Sequence, residues 1–408
     1  MIAFFLPWGY NKHMKRDDFG RVSSVPWLLV ALLGILLAGL VLLRLAAAGS
    51  APEPTVETVT PAPIESVEPD RAELLLQDMS LREKICQLIV VRPQSLTGAK
   101  TVTAVDDALT EALQDYPVGG VMLSSEHIRT AEQLSALTRD LSRLSPGLMI
   151  AVDEEGGRVA RLMNAVGTTK LRAMYSYKDE GTQTAYKNAW ILAQDLRTFG
   201  FNTDFAPVAD VWTVKGNIVI GDRAYSDDYD QAATLIASAV RGFREGGVLC
   251  CLKHFPGHGS TAADSHEGAA VVDKTLETLR DEDLKPFRSG IDAGADMVMA
   301  GHLTVPAVDD LPASMSRALL TDLLRGELGF EGVIITDGLQ MAAAGKRPDG
   351  EKALACLAAG ADLLLEIEDV PGTVEAIEQA VKSGEITEER LDESVMRVLH
   401  MKLGRGIL

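Results

Sequence analysis

Three of the chain's seven histidines lie in one stretch, Lys253-His-Phe-Pro-Gly-His-Gly-Ser-Thr-Ala-Ala-Asp-Ser-His266, together with Lys253 and Asp264. A lone histidine usually has a structural role. A group this dense, breaking from an apolar run into a loop punctuated by Gly257 and Gly259, can bind or move protons. A second cluster, Gly332-Val-Ile-Ile-Thr-Asp-Gly-Leu-Gln-Met341, sets Asp337 at the end of a run that reads as a fully buried strand. An aspartate there is a nucleophile, a metal ligand or the cap of the next helix, and the residues alone leave all three open. The third cluster, Ile150-Ala-Val-Asp-Glu-Glu-Gly-Gly-Arg-Val-Ala-Arg161, follows acids with two glycines and two arginines. It reads either as a capped helix start with solvated charge or as a fork of hydrogen-bonding groups around a polyol.

These groups need a frame that gathers strand ends. Short apolar runs recur at Ile85 to Val91, Val118 to Leu123, Leu148 to Val152, Thr203 to Val208, Val248 to Lys253, Met297 to Ala300, Gly332 to Thr336 and Ala361 to Leu365. Amphipathic stretches lie between them at Thr130 to Ser142, Gln183 to Phe199, Asp230 to Glu245, Leu279 to Ala293, Ser316 to Glu327 and Gly350 to Ala359. Alternation of strand and helix predicts an α/β fold, a (β/α)8 TIM-type barrel in a single catalytic domain over residues 71–408. Asp153, Asp210, Lys253, His254, His302 and Asp337 then fall at carboxyl ends of strands, where barrel enzymes assemble their sites.

The formal charge of -19 and the lack of a basic stripe argue against a nucleic-acid partner, since phosphate affinity comes from clustered Lys and Arg. No Gly-x-Gly-x-x-Gly or Walker-type loop is found, and no cofactor is implied. The four cysteines, Cys86, Cys250, Cys251 and Cys356, are too scattered for a disulfide framework and read as buried thiols. The 22 uncharged residues between Arg21 and Arg44 are long enough to cross a bilayer. We therefore expect a cytoplasmic segment at 1–24, one transmembrane signal-anchor helix at 25–45 and a Pro-rich flexible linker at 46–70. Lys12, Lys15, Arg16 and Arg21 precede the apolar run and no Lys or Arg lies between Leu45 and Asp70, which places the N-terminus in the cytoplasm and the catalytic domain outside the cell membrane.

The order Asp-Glu-Glu-Gly-Gly-Arg-Val-x-Arg, Gly-Asp-Arg-Ala-Tyr (Gly221 to Tyr225), Lys-His-Phe-Pro-Gly-His-Gly, Asp-Ser-His and Thr-Asp-Gly-Leu-x-Met closely resembles the β-N-acetylglucosaminidases of glycoside hydrolase family 3. The resemblance runs from about Arg71 to Leu408 and includes the ending Gly384-Glu-Ile-Thr-Glu-Glu-Arg-Leu-Asp-Glu-Ser394. It implies that Asp337 is the nucleophile and His266 the general acid/base, oriented by Asp264. It also implies that Asp153, Arg161, Arg223, Lys253 and His254 bind the sugar, while His258 organises its loop. An imidazole with an ordinary pKa near 6.5 can protonate a leaving group and later deprotonate water. Asp264 and His266 share a side only if their segment is extended.

The expected activity is retaining exo-hydrolysis of terminal β-linked N-acetylglucosamine from cell-wall or muropeptide-type glycans, by a monomeric catalytic domain. β-Glucosidases of the family commonly draw their acid/base from a downstream domain, for which this chain leaves no room. The stretch Ala342 to Gly350 is short and lacks aromatics, which implies an open leaving-group side. Three alternatives remain. One is a metal-dependent hydrolase using His254, His258, His266, Asp264 and Asp337, another is transfer to phosphate in place of water, and the third is an inactive wall-glycan-binding module.

Overall fold

A computed structural model describes residues 70–261 and 270–408. The expected segments at 1–24 and 25–45 and all but the last residue of the linker expected at 46–70 lie outside the described residues, as do Asp264 and His266. Among the described residues, no helix is long and apolar enough to cross a membrane.

Eight parallel strands form one sheet: β1 (Ile89–Val91), β2 (Gly120–Met122), β3 (Met149–Val152), β4 (Thr203–Asp204), β5 (Leu249–Phe255), β6 (Met297–Ala300), β7 (Val333–Thr336) and β8 (Leu364–Leu365). Their order is β7-β6-β5-β4-β3-β2-β1-β8, and a parallel bridge between Ile335 and Leu363 brings the two ends together, so the ring nearly closes as a TIM-type barrel. Side chains of β1, β2, β3, β5, β6, β7 and β8 are buried throughout. Helices cover the outer face of such a sheet and side chains fill its inside, so each strand reads as a continuous apolar run and not as an alternating one. All four cysteines are buried and free.

The expected helices appear within a residue or two at Ala131–Leu144, Thr182–Thr198, Tyr229–Gly246 and Asp349–Ala359. Three readings are corrected. Ile85 and Cys86 are not strand residues but the buried face of the helix Leu81–Gln87. The reason is a reciprocal cap, with Ser80 Oγ accepting from the Glu83 N–H and the Glu83 carboxylate accepting from the Ser80 N–H. The stretch Leu279 to Ala293 breaks into Leu276–Asp281 and Leu284–Asp292, because Glu282, at φ -127° and ψ -95°, leaves the helical conformation between them. The fourth strand is continuous only over Thr203–Asp204, and beyond Pro207, which has no N–H for a ladder, the run resumes in a single parallel bridge of Val208 with Lys253. The segment Ala318–Glu327 is wound as a π-helix.

Lys402, on the helix Glu388–Gly404, is 1% exposed and donates from Nζ to the Gly119 carbonyl at 2.7 Å and to Gln87 Oε1. Among the described residues no carboxylate accompanies it, and burial pulls its ammonium down to about 7. The unfolded chain keeps that proton up to the ordinary lysine pKa of 10.5, whereas the folded chain releases it above about 7. Between those values the unfolded state binds more protons, so stability rises with pH, by at most about 1.4 kcal/mol per pH unit. Denaturant unfolding of the wild type and Lys402→Met at pH 7, 8 and 9 checks this. The wild type should gain on the variant as pH rises, and a constant difference would contradict the assignment.

Candidate active site

The carboxyl ends of the strands surround a cavity of about 470 Å³. Asp153, Arg161, Arg223, Lys253, His254 and Asp337 all line it, so six of the eight residues singled out by sequence meet in one place. Asp264 and His266 lie outside the described residues.

Strand alternation explains the run of three acids. Asp153 leaves β3 and the chain continues into a hairpin, Glu154–Gly156 with Val159–Ala160, so Asp153 and Glu155 share a side and Glu154 takes the other. Glu154 is buried against the start of the helix Arg161–Val166, where its carboxylate accepts the backbone N–H groups of Arg161, Leu162 (2.8 Å) and Met163 (3.1 Å). Burial raises its pKa against the pull of those three donors.

Lys253, from β5, reaches across the barrel to Asp153 Oδ1 (2.6 Å) and Glu155 Oε1 (2.7 Å). Arg223 forks onto the same Glu155 with N–O distances of 2.7 and 2.8 Å. Burial alone would raise the Glu155 pKa, but the Arg223 and Lys253 charges outweigh it and hold the carboxyl well below its usual range. Burial would likewise lower the Lys253 pKa, but Asp153 and Glu155 raise it, so the ammonium stays charged. Arg161 Nη2 stands 3.9 Å from Asp153 Oδ2, and its Nε has no hydrogen-bond partner among the described residues. Beneath this group, fully buried Asp204 accepts the Glu154 N–H at 3.0 Å, and burial pushes its carboxyl well above the usual range.

Further along β5, both Lys253 and His254 line the cavity where the ladder to β6 shifts register between Leu252 and Phe255. Buried Asp210 holds this end. Its Oδ2 lies 2.7 Å from His254 Nδ1, and its Oδ1 accepts the His258 N–H at 2.6 Å and the His254 N–H at 3.2 Å. Burial works to raise the Asp210 pKa, but the two histidines and their N–H groups bring it below the ordinary value. The contact keeps a proton on His254 Nδ1 and leaves Nε2 for the cavity. Two glycines allow the loop to pack this closely. A Cβ on Gly259 would lie 2.0 Å from the Val211 carbonyl oxygen, and Gly257, at φ 131°, would press one 2.7 Å from Asp283 Cβ.

Asp337 follows β7, its N–H bonded to the Ala300 carbonyl and its Oδ1 accepting the Gly338 N–H at 2.8 Å. Burial would raise its pKa, yet His254 and His302 outweigh that and keep it below the ordinary aspartate value, so it is an anion at neutral pH. Buried His302 braces the same turn, with Nε2 3.0 Å from the Gly338 carbonyl and Nδ1 2.8 Å from Ser314 Oγ, and burial lowers its own pKa. An anionic nucleophile, a fork of fixed cations and an imidazole edge suit a polyol whose anomeric carbon lies over Asp337. Among the described residues, no group of three or more His, Cys, Asp or Glu side chains is arranged to hold a metal ion.

Sequence reasoning passed over Glu155, which both Lys253 and Arg223 engage, and the signal available was its place two residues beyond Asp153 on the same strand face. It also passed over Glu366, beside β8, whose carboxylate accepts from Arg92 and Gln340. No motif marks that residue.

Residues 80–401 match the family model described as "Glycosyl hydrolase family 3 N terminal domain". A beta-hexosaminidase of Chromobacterium violaceum is 41% identical over 282 residues, which is 66% of this chain and 78% of that one. Among solved structures, a glycoside hydrolase family 3 beta-N-acetylglucosaminidase from a Paenibacillus species superimposes with a TM-score of 0.75 at 36% identity. The match covers 81% of this chain but only 63% of that longer one. The beta-N-acetylhexosaminidase of Beutenbergia cavernae gives a TM-score of 0.71 at 27% identity, covering 80% of this chain and 99% of its own. With the barrel and its charged mouth, these matches identify the chain as a glycoside hydrolase that belongs to glycosyl hydrolase family 3.

Proposed function

We propose that this glycoside hydrolase removes terminal, non-reducing β-linked N-acetylglucosamine from glycans with retention of configuration. The observation that carries the reading is Asp337, anionic and half-buried, in the same cavity as Asp153, Arg161, Arg223, Lys253 and His254. Its carboxylate attacks the anomeric carbon as the bond to the leaving oxygen breaks, giving a glycosyl ester on Asp337. His266, aligned by Asp264, gives its proton to the leaving oxygen. It then takes one from the water that cleaves the ester, so proton and carboxylate are both restored. The roles of His266 and Asp264 rest on the sequence resemblance, since both lie outside the described residues. Lys253, Arg223 and His254 hold the sugar hydroxyls against Asp153 and Glu155, so binding energy orients the ring before bond breaking.

The same reading includes the sequence expectation of an anchor at 25–45 that leaves the barrel on the outer side of the membrane, where cell-wall fragments are the glycans at hand. Names of relatives support the sugar specificity, since the Chromobacterium and Beutenbergia proteins are called hexosaminidases and the Paenibacillus protein an N-acetylglucosaminidase.

Two measurements test the chemistry. Asp337→Asn should lower kcat/KM for an aryl N-acetyl-β-glucosaminide by at least about 10³-fold, and a variant within tenfold of wild type would remove Asp337 from the mechanism. His266→Ala should lose roughly 10²–10⁴-fold on glycosides with poor leaving groups and far less on a dinitrophenyl glycoside, which departs without a proton. A uniform loss across leaving groups, followed as kcat/KM against aglycone pKa, would contradict the acid role. Product analysis in phosphate buffer should yield the free sugar, whereas a sugar 1-phosphate would redirect the second step to phosphate.

A further inference from the structure

His302 stands at a strand end like the cavity's other polar groups, yet it does not line the cavity. It is 1% exposed and lies two residues beyond β6, where the chain turns into a small separate sheet. There Leu303–Val305 is the middle strand, antiparallel to Asp309–Pro312 and parallel to Ala270–Val271, with buried Leu303 opposite buried Ala270. The backbone on either side of His302 is therefore held by ladders, to β7 before it and to this sheet after it. Buried Ser314, just past Pro312, grips the same stretch. Its N–H donates to the Gly301 carbonyl at 3.2 Å, and its Oγ lies 2.8 Å from His302 Nδ1. His302 Nε2 lies 3.0 Å from the Gly338 carbonyl. A carbonyl oxygen only accepts, so Nε2 carries the proton, and Nδ1 of the neutral ring accepts from the Ser314 hydroxyl. Two fixed partners thus hold the imidazole in one tautomer and one rotation.

What the ring holds in turn is the peptide beside the nucleophile. Asp337 donates its N–H to the Ala300 carbonyl at 2.8 Å, and Leu339 donates to the Leu365 carbonyl at 2.9 Å. Between them Gly338 gives its own N–H to Asp337 Oδ1 at 2.8 Å, so the rotation of the carboxylate follows the orientation of Gly338. His302 supplies a side-chain contact to that glycine, whose backbone would otherwise be the easiest part of the turn to rotate. A carboxylate that attacks a carbon must meet it in line with the departing bond, and a misplacement of about 1 Å can cost about 10²-fold in rate.

Resting on the reading of Asp337 as nucleophile, we propose that His302, locked by Ser314, is a positioning residue that sets the line of attack of the Asp337 carboxylate without touching the sugar. The test measures kcat/KM for a phenyl and a dinitrophenyl N-acetyl-β-glucosaminide, and inhibition by free N-acetylglucosamine. The variants are His302→Leu, His302→Gln, Ser314→Ala and the double variant of His302→Leu with Ser314→Ala. His302→Leu should lower kcat/KM by about 10–10²-fold and equally on both glycosides, because attack is impaired whatever the leaving group. N-acetylglucosamine should inhibit this variant as it does the wild type, which a general loosening of the cavity would not allow. His302→Gln, whose amide can donate to the Gly338 carbonyl, should recover most of the loss. Ser314→Ala should cost less than His302→Leu by itself and nothing further in the His302→Leu background, as for two members of one unit. Should His302→Leu fail to fold, Ser314→Ala carries the comparison of the two glycosides. An unchanged kcat/KM, a loss confined to the phenyl glycoside, weakened inhibition, or a His302→Gln variant no better than His302→Leu would overturn the assignment while leaving the nucleophile reading intact. Near wild-type turnover by Asp337→Asn would overturn both.

Discussion

The mouth of the barrel depends on the ammonium of Lys253, held between Asp153 and Glu155 at 2.6 and 2.7 Å. Taking such charges out of water costs several kcal/mol per ion, and the cost is offset only if each charge finds good partners. Here the partners come from distant parts of the chain: β5 supplies the lysine, the end of β3 Asp153, the hairpin that follows it Glu155, and the turn Gly221–Arg223 the guanidinium that completes Glu155. The same contacts that satisfy the buried charges therefore fix the spacing of strands and loops around the sugar. Removing any one member leaves its neighbours uncompensated, and this is a stronger constraint on geometry than the attraction within any pair.

A second layer of partners turns these groups toward their work. Asp210 sets the proton on His254, His302 braces the turn behind Asp337, and Glu154 anchors the helix that begins with Arg161. None of the three needs to touch the substrate. Each converts a flexible side chain or turn into one with a single favoured orientation, which is how a cavity becomes preorganised. The carboxyls thus diverge in charge state: burial raises Glu154 and Asp204, while nearby cations and imidazoles depress Glu155 and Asp337. Acids close in sequence perform different tasks because their surroundings differ.

Much of the frame was legible because parallel strands buried on both faces leave continuous apolar runs, and all eight runs contain or adjoin the observed strands. Boundaries were less so. A run such as Ile85 to Val91 does not reveal by periodicity where a buried helix ends and a strand begins, and the reciprocal Ser80 and Glu83 cap was the only local clue. Asp337, Lys253 and His254 stood out because ionisable groups at apolar strand ends are conspicuous. Glu155 did not, since an acid within a charged run looks like solvated surface until its distant partners Lys253 and Arg223 arrive. Glu366 was invisible for a related reason: its role depends on Arg92, 274 residues away, and on a left-handed backbone that no residue type announces.

The hairpin that begins with Glu154 also bears on how this site can change over evolutionary time. Because Asp153 and Glu155 face the cavity while Glu154 faces a helix, the segment obeys a parity rule. Gain or loss of a single residue just after β3 would exchange the two sets, sending the helix anchor into the mouth and a ligand of Lys253 into the protein interior. Changes by pairs preserve facing and alter only reach. Length variation at this junction is thus confined to even steps.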